Sequence, residues 1–308
     1  MKVIRARLLG FCMGVRRAVE IAERASLETG LAGKLFTLGP LIHNSSVLEN
    51  LRKWGLVCLG EDEISSLPAD STVIIRAHGV APVIERELSQ RGIRILDATC
   101  PNVKQSQSKA RSFVENGYRL FIAGEENHGE IAGLRGYAED GCPKVRASVI
   151  SPCFVVGNAE EATTAAGELY RSEPEARTAL IAQTTIRDEE YRVIGEKIRQ
   201  FFPSLKIVNS ICAATMDRQN ALRELGNVDA IIVAGSRESA NTQRLLSLAK
   251  EMGKPAWLTE AVSDIPPEIA AYETVGLSAG ASTPDDLIDA IEQAIKLIEG
   301  VGERHRLQ

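Results

Sequence analysis

Short apolar, β-branched runs recur along the chain at Val3-Ile4, Leu35 to Leu38, Val73 to Ile75, Ile93 to Leu96, Leu120 to Ala123, Phe154 to Val156, Leu180 to Ala182, Ile207-Val208, Ile231 to Ala234, Ala256 to Leu258 and Val275 to Leu277. Their brevity and their lack of polar alternation predict mostly strands buried on both faces. Between many of them lie stretches of helical periodicity, among them Val15 to Ala25, Val47 to Trp54, Glu189 to Phe201, Thr242 to Met252 and Asp285 to Ile298. These predict amphipathic helices. Strand then helix, repeated, implies parallel sheets joined by right-handed crossovers.

Gly141-Cys142-Pro143 and Ser151-Pro152 punctuate the middle of the chain, but no low-complexity linker divides it. A weak repeat organises it instead. Cys12-Met-Gly-Val-Arg-Arg, Cys100-Pro-Asn-Val-Lys-Gln and Cys212-Ala-Ala-Thr-Met-Asp-Arg-Gln each lead from a cysteine into a helix-compatible stretch carrying Arg or Lys. The cysteines are 88 and 112 residues apart, which suggests similar units that each bring one cysteine to a common point. The expected fold is α/β: three similar parallel-sheet units in a pseudo-threefold arrangement around a central cleft. The expected boundaries are 14–100, with Cys12 at its entry, then 101–208 and 209–295, the third unit completed by residues 1–13 and 296–308.

Composition narrows the function classes. A chain of 308 residues, 44% hydrophobic and 25% charged, buries a sizeable core. Its net charge of -5 offers no electrostatic footprint for nucleic acid, so an anionic ligand must be held locally. The basic N-terminus, interrupted by Gly10, Cys12 and Gly14, does not read as a secretory leader, and no uncharged apolar run is long enough for a membrane helix. A soluble cytoplasmic protein is expected. Its six cysteines (Cys12, Cys58, Cys100, Cys142, Cys153 and Cys212) then point to metal or catalytic use rather than a disulfide framework. None forms a Cys-x-x-Cys pair, which argues against a zinc ribbon, a thioredoxin-like site and a ferredoxin-type string.

In open parallel sheets, ligands bind beyond the carboxyl ends of the strands. The loops expected there hold His43, His78 and His128, together with Cys12, Cys100 and Cys212 and many Ser, Thr and Asn residues. His305, in a charged tail, reads as merely solvated. A cysteine taken alone reads as a small buried hydrophobe, and Cys58, Cys142 and Cys153 keep that reading. Three thiolates together at helix starts bind a soft metal centre, and on a cubane cluster three ligands leave one iron open to substrate. His128-Gly129-Glu130 offers an imidazole and a carboxylate for proton relay, or a surface polar pair. His43 and His78 suit a diphosphate, or a capping or core role. Ser239, Asn241 and Ser282 precede helix starts, where amides and hydroxyls bind phosphate. Ser282 reads equally as an ordinary cap, and Thr184-Thr185 is similarly ambiguous. No GxGxxG or GxxxxGK[ST] motif is present, so electrons for any reduction come from outside.

The segments Gly10-Phe-Cys-Met-Gly-Val-Arg-Arg-Ala, Gly39-Pro-Leu-Ile-His-Asn, Arg76-Ala-His-Gly-Val, Asp97-Ala-Thr-Cys-Pro, His128-Gly-Glu-Ile-Ala-Gly, Gln183-Thr-Thr, Ile211-Cys-Ala-Ala-Thr, Gly235-Ser to Asn241 and Ala279-Gly-Ala-Ser-Thr-Pro-Asp span nearly the whole chain. Together they resemble the 4-hydroxy-3-methylbut-2-enyl diphosphate reductase (LytB) family. The resemblance implies a 4Fe-4S cluster on Cys12, Cys100 and Cys212 with an open apical iron. It implies a diphosphate site of His43, His78, Ser239, Ala240, Asn241 and Ser282, with His128 contacting substrate, Glu130 delivering a proton and Thr185 near the substrate hydroxyl. The implied partners are a small allylic diphosphate and an electron donor such as ferredoxin or flavodoxin. In two places the chain departs from the family pattern: Ala240 stands where many members have serine, leaving its backbone amide, and Gly129 replaces a common proline. A zinc hydrolase, an iron-sulfur sensor and a thiol oxidoreductase are the rival classes.

Overall fold

A computed structural model describes residues 1–28, 34–142 and 151–298. Pro143 of the central punctuation, His305 and the end of the segment 296–308 lie outside these residues. Strands and helices alternate as the periodicity predicts, and every strand pairing among the described residues is parallel.

The chain divides into two compact units, one of Met1–Arg16, Ile42–Asn50 and Ala213–Gln308, the other of Arg17–Leu41 and Leu51–Cys212. The second unit holds two sheets. Strands β2 (Leu35–Leu38), β3 (Leu56–Leu59), β4 (Thr72–Ile75) and β5 (Arg94–Asp97) lie in the order β3-β2-β4-β5, while β6 (Arg119–Ala123), β7 (Cys153–Val156), β8 (Thr178–Ala182) and β9 (Lys206–Ile207) lie in the order β7-β6-β8-β9. The first unit holds β1 (Lys2–Arg5), β10 (Ala230–Ala234), β11 (Ala256–Thr259) and β12 (Thr274–Ala279), in the order β1-β12-β10-β11. All three sheets therefore share one topology, second-first-third-fourth, with β1 standing in as the fourth strand of the last sheet.

Burial follows position in the sheet. The inner strands β2, β4, β8 and β10 are buried at every residue. The edge strands, including β1, β5, β9 and β11, keep exposed or half-exposed positions. Six of the eleven runs are buried throughout, as expected, and the other five lie on edge strands, which pack one face and leave the outer side to solvent. The strand β3 escaped prediction for the same reason, since Val57 and Cys58 are exposed at a sheet edge.

Alternation along β10 shows how each inner strand feeds two cores. Ile231 and Val233 pack with Leu222, Leu245 and Leu248, whereas Ala230, Ile232 and Ala234 pack with Ile288, Ile291 and Ile295. The first set of partners comes from α8 (Ala213–Arg223) and α9 (Ala240–Glu251), the second from α10 (Asp285–Leu297). Successive strand side chains point to opposite faces, so helices cover both sides of the sheet.

Candidate functional site

The shared topology sorts the candidate residues. In each sheet the winding reverses between the first and third strands, and the crevice at their carboxyl ends is where such sheets bind ligands. His43 follows β2 and His78 follows β4; His128 follows β6 and Thr184-Thr185 follow β8; Ser239 to Asn241 follow β10 and Ser282 follows β12. The three cysteines follow the fourth strands, Cys12 after β1, Cys100 after β5 and Cys212 after β9.

In the first unit, the switch point lies at Gly235 and Gly280. A Cβ on Gly280 would fall 2.1 Å from Thr242 Oγ1, and one on Gly235, whose φ is +139°, would fall 2.6 Å from Thr283 Oγ1. Glycine at both places lets the two threonines pack against the strand ends, where Thr283 Oγ1 donates to Ala234 O at 3.0 Å. Ser239 caps α9, its hydroxyl accepting from Thr242 N at 3.4 Å. Ala240 and Asn241 are the first residues of that helix, where amides lack intrahelical acceptors. Asn241 is only 4% exposed, yet neither polar atom of its amide meets a hydrogen-bond partner. A buried amide in that state is costly unless a ligand completes it.

Ser282 is not a cap. The residue before α10 is Pro284, with no side-chain bond, and the Ser282 hydroxyl instead donates to His43 O at 2.9 Å. His43 precedes Asn44, whose carboxamide oxygen accepts from Val47 N at 3.1 Å and so starts α2 (Ser45–Lys53). Cys12 also lies in this unit. Its amide donates to Ala281 O at 3.0 Å, its carbonyl accepts from Arg16 N at 2.9 Å, and its sulfur accepts from Val15 N at 3.4 Å. The thiol therefore sits at the start of α1 (Met13–Leu27), where the helix dipole favours an anionic ligand.

In the second unit, Cys100 precedes α4 (Pro101–Glu115), with Pro101 in the first turn. Its amide donates to Ala77 O and its carbonyl accepts from Lys104 N, both at 2.9 Å. Cys212 precedes α8, and its amide donates to Thr184 O at 2.9 Å. All three cysteines are half-buried and form no disulfide. Cys153 is buried in the core, and desolvation pushes its thiol up to about 12, so it stays protonated and inert.

His128 caps α5 (Gly129–Asp140): its Nδ1 accepts from Glu130 N at 3.1 Å, which places the proton of a neutral ring on Nε2. The His78 ring stands edge-on to it, centroids 5.1 Å apart. Glu130 is no surface residue. It is 1% exposed, and Thr184 donates to both its oxygens, from the amide at 2.7 Å and the hydroxyl at 2.8 Å. Thr185 Oγ1 instead accepts from Gln183 Nε2 at 3.0 Å. Gly124 leaves room for Gln183, since a Cβ there would meet its Oε1 at 2.6 Å. Gly129 has a local role too: a Cβ would press on Arg76 Nη2 at 3.2 Å. Arg76 is held by Glu61 Oε1 at 2.7 Å and Leu38 O at 3.1 Å.

Nothing in the Gln183-Thr-Thr loop of the sequence marks Thr184 as the partner of Glu130. Arg76 and Gln183 are equally silent in sequence, the first visible only as a cation beside His78, the second as the start of that loop.

Residues 3–296 match the family model described as LytB protein. The chain is 44% identical to a 4-hydroxy-3-methylbut-2-enyl diphosphate reductase of Treponema pallidum strain Nichols, over 96% of this chain and 83% of that one. It is 43% identical to the reductase of the same name from Treponema denticola, over 97% of this chain and all of the relative (100%). Among solved structures, (E)-4-hydroxy-3-methyl-but-2-enyl diphosphate reductase, described as the terminal enzyme of the non-mevalonate pathway, aligns with a TM-score of 0.68 at 33% identity, covering 96% of this chain and 99% of that one. The Plasmodium falciparum E-1-hydroxy-2-methyl-but-2-enyl-4-diphosphate reductase shares the fold at a TM-score of 0.84 and 24% identity, covering 95% of this chain and 87% of that one.

Proposed function

The chain belongs to the LytB family, and on that premise we propose how its own residues carry the reductase reaction. The activity is the reductive removal of the hydroxyl of 4-hydroxy-3-methylbut-2-enyl diphosphate, the last step of the non-mevalonate route to isoprenoid precursors. Two electrons and two protons enter, the allylic C–O bond breaks, and water leaves with isopentenyl or dimethylallyl diphosphate.

The observation that carries the substrate assignment is Asn241. Its buried amide, unpartnered in the protein, lies at the start of α9 beside the amide of Ala240. A diphosphate there accepts from the Asn241 side chain and from the two orphan amides, and it meets the favourable end of the helix dipole. The Ser282 hydroxyl rotates readily from the His43 carbonyl to a phosphate oxygen. His43 and His78 complete the diphosphate set, and His128, with its proton on Nε2, contacts the substrate.

Cys12, Cys100 and Cys212 suit a 4Fe-4S cluster: they form no disulfide, each lies at a helix start, and the sulfurs of Cys12 and Cys212 accept from N–H donors. When bound, that cluster supplies the electrons and a Lewis-acidic iron without a protein ligand. Glu130 holds the proton that converts the leaving hydroxide to water. Thr184, whose hydroxyl both donates and accepts, keeps the carboxyl oriented and can pass the proton on. Thr185 stands next in the same loop, near the substrate hydroxyl.

The chain carries no dinucleotide or nucleotide fingerprint, so the electrons come from a donor such as ferredoxin or flavodoxin. No described helix is long and apolar enough to cross a membrane, and we place the enzyme in the cytoplasm. The repeated strand order supports dividing the chain into α/β units at 14–100, 101–208 and 209–295, with 1–13 and 296–308 added to the third. Anaerobic purification, an iron count and turnover with the hydroxylated diphosphate and a reduced low-potential donor test the proposal. A brown protein yielding both five-carbon diphosphates supports it; a colourless zinc protein indifferent to reductant overturns it.

A further inference from the structure

Three side chains with no part in the reaction above share a pattern. Each lies on the helix that follows one cysteine and closes on the segment that carries the next. Arg17, on α1 after Cys12, donates from Nη2 to Asp97 O at 3.0 Å and from Nη1 to Thr99 O at 3.1 Å, gripping the backbone just before Cys100. Asn102, on α4 after Cys100, donates from Nδ2 to Cys212 Sγ at 3.3 Å. Arg218, on α8 after Cys212, donates from Nη2 to Gly10 O at 2.6 Å, two residues before Cys12, and from Nη1 to Ala214 O at 2.8 Å. The order of action is cyclic: from Cys12 to Cys100, from Cys100 to Cys212, from Cys212 back to Cys12.

The bonds differ in what they fix. Arg218 is 2% exposed, and the carbonyls of Ala214 and Gly10 accept from its buried guanidinium, which ties the Gly10 peptide to α8. Gly10 has a φ of +80°, and a Cβ there would fall 2.8 Å from Asp285 Oδ1, so the turn that Arg218 holds calls for glycine. Arg17 spans two carbonyls with two arms of one planar group, which fixes the direction of the Asp97–Thr99 backbone as well as its position. Asn102 acts on a sulfur directly. An N–H aimed at a ligating sulfur favours the more negatively charged, reduced state of a cluster and so raises its potential.

We propose that Arg17, Asn102 and Arg218 are positioning residues that preset the three cysteine segments for the cluster, and that Asn102 in addition raises its reduction potential. The inference rests on the cluster assignment made above. It adds to that assignment a reason for each cysteine segment to hold its local shape before iron arrives, since the partners around a ligand set contribute to metal affinity.

The test compares wild type with Asn102→Leu, Asn102→Gln, Arg17→Met, Arg218→Met and Arg218→Lys after anaerobic reconstitution with iron and sulfide. Three quantities are read: iron per chain, the rate of iron loss to a chelator, and the midpoint potential from a redox titration followed by electron paramagnetic resonance. Far-UV circular dichroism of the apo-proteins checks the fold. Asn102→Leu should load fully and titrate at a more negative potential, with Asn102→Gln returning part of the shift. Arg17→Met and Arg218→Met should lose iron about tenfold faster or more, with Arg218→Lys intermediate. If Arg218→Met does not fold, Arg17→Met and Asn102→Leu decide the matter. Folded variants that match a loaded wild type in potential and iron retention overturn the clasps alone, whereas a wild type that takes up no iron-sulfur cluster overturns the assignment beneath them.

Discussion

Glu130 and Thr184 are joined by two hydrogen bonds across 54 residues of sequence, the amide of Thr184 at one carboxylate oxygen and its hydroxyl at the other. The carboxyl group is thereby fixed in orientation inside a region that solvent does not reach. Thr184→Val keeps the shape and the amide bond but removes one donor to a buried carboxylate oxygen. It should cost about 1–3 kcal/mol in denaturant unfolding and lower kcat, with Thr184→Ser restoring both. Unchanged stability and turnover would show that the hydroxyl bond carries no weight.

Glu130→Gln preserves a polar group of the same size while removing the ability to deliver a proton. Turnover should fall by about 10²–10⁴-fold, the usual worth of a positioned acid, while substrate affinity measured by calorimetry stays near wild type. Retained turnover would remove Glu130 from the role of obligatory acid.

Asn241 sets stability against binding. Replacing it with leucine, of similar shape, removes two buried polar atoms that lack partners. The ligand-free protein should gain about 1–3 kcal/mol, a rise of several degrees in thermal midpoint. The same change should weaken diphosphate binding at least about tenfold, roughly 1.4 kcal/mol. A less stable Asn241→Leu protein, or one with unaltered affinity, would contradict the site.

Asp97 precedes the Cys100 turn. Burial pushes its carboxyl up, but hydrogen bonds from Lys104 and Thr99 outweigh that and hold it below the ordinary carboxylate range. A carboxyl lowered by folding contributes stability that is fully present above its unfolded value, near about 3.9, and is lost as pH falls through the lower folded value. Unfolding free energy should therefore drop more steeply with acid for wild type than for Asp97→Asn, with the difference confined to pH below about 5. Parallel acid limbs would refute this.

Much of the scaffold was legible because inner strands announce themselves: Leu35 to Leu38 or Ile231 to Ala234 admit little but burial on both faces. Val57-Cys58 did not, because an edge strand with exposed positions resembles a loop in a single sequence. Reading the loops after strands brought forward His128, Glu130, Asn241 and Ser282, because parallel sheets put their chemistry at one end. The partners were another matter. Ser282 reads equally as a helix cap or a phosphate ligand until its hydroxyl is seen on a carbonyl 239 residues away, and Arg218 is only a cation in a helix-compatible stretch until its guanidinium is found on Gly10, 208 residues back. Local pattern encodes which elements form, whereas a hydrogen bond across the chain depends on how distant strands register.

The strand β1 pairs with β12 in register from Lys2 with Thr274 to Arg5 with Leu277. That strand therefore cannot take its place until residues about 270 positions further along the chain have been made. Closing so long a loop is slow and entropically costly. Cys12 likewise gains its backbone partner at Ala281 only after that far later residue has been made. Cys100 and Cys212 instead bond to residues made before them, Ala77 and Thr184, so growth conditions that slow elongation or add oxygen should damage Cys12 first.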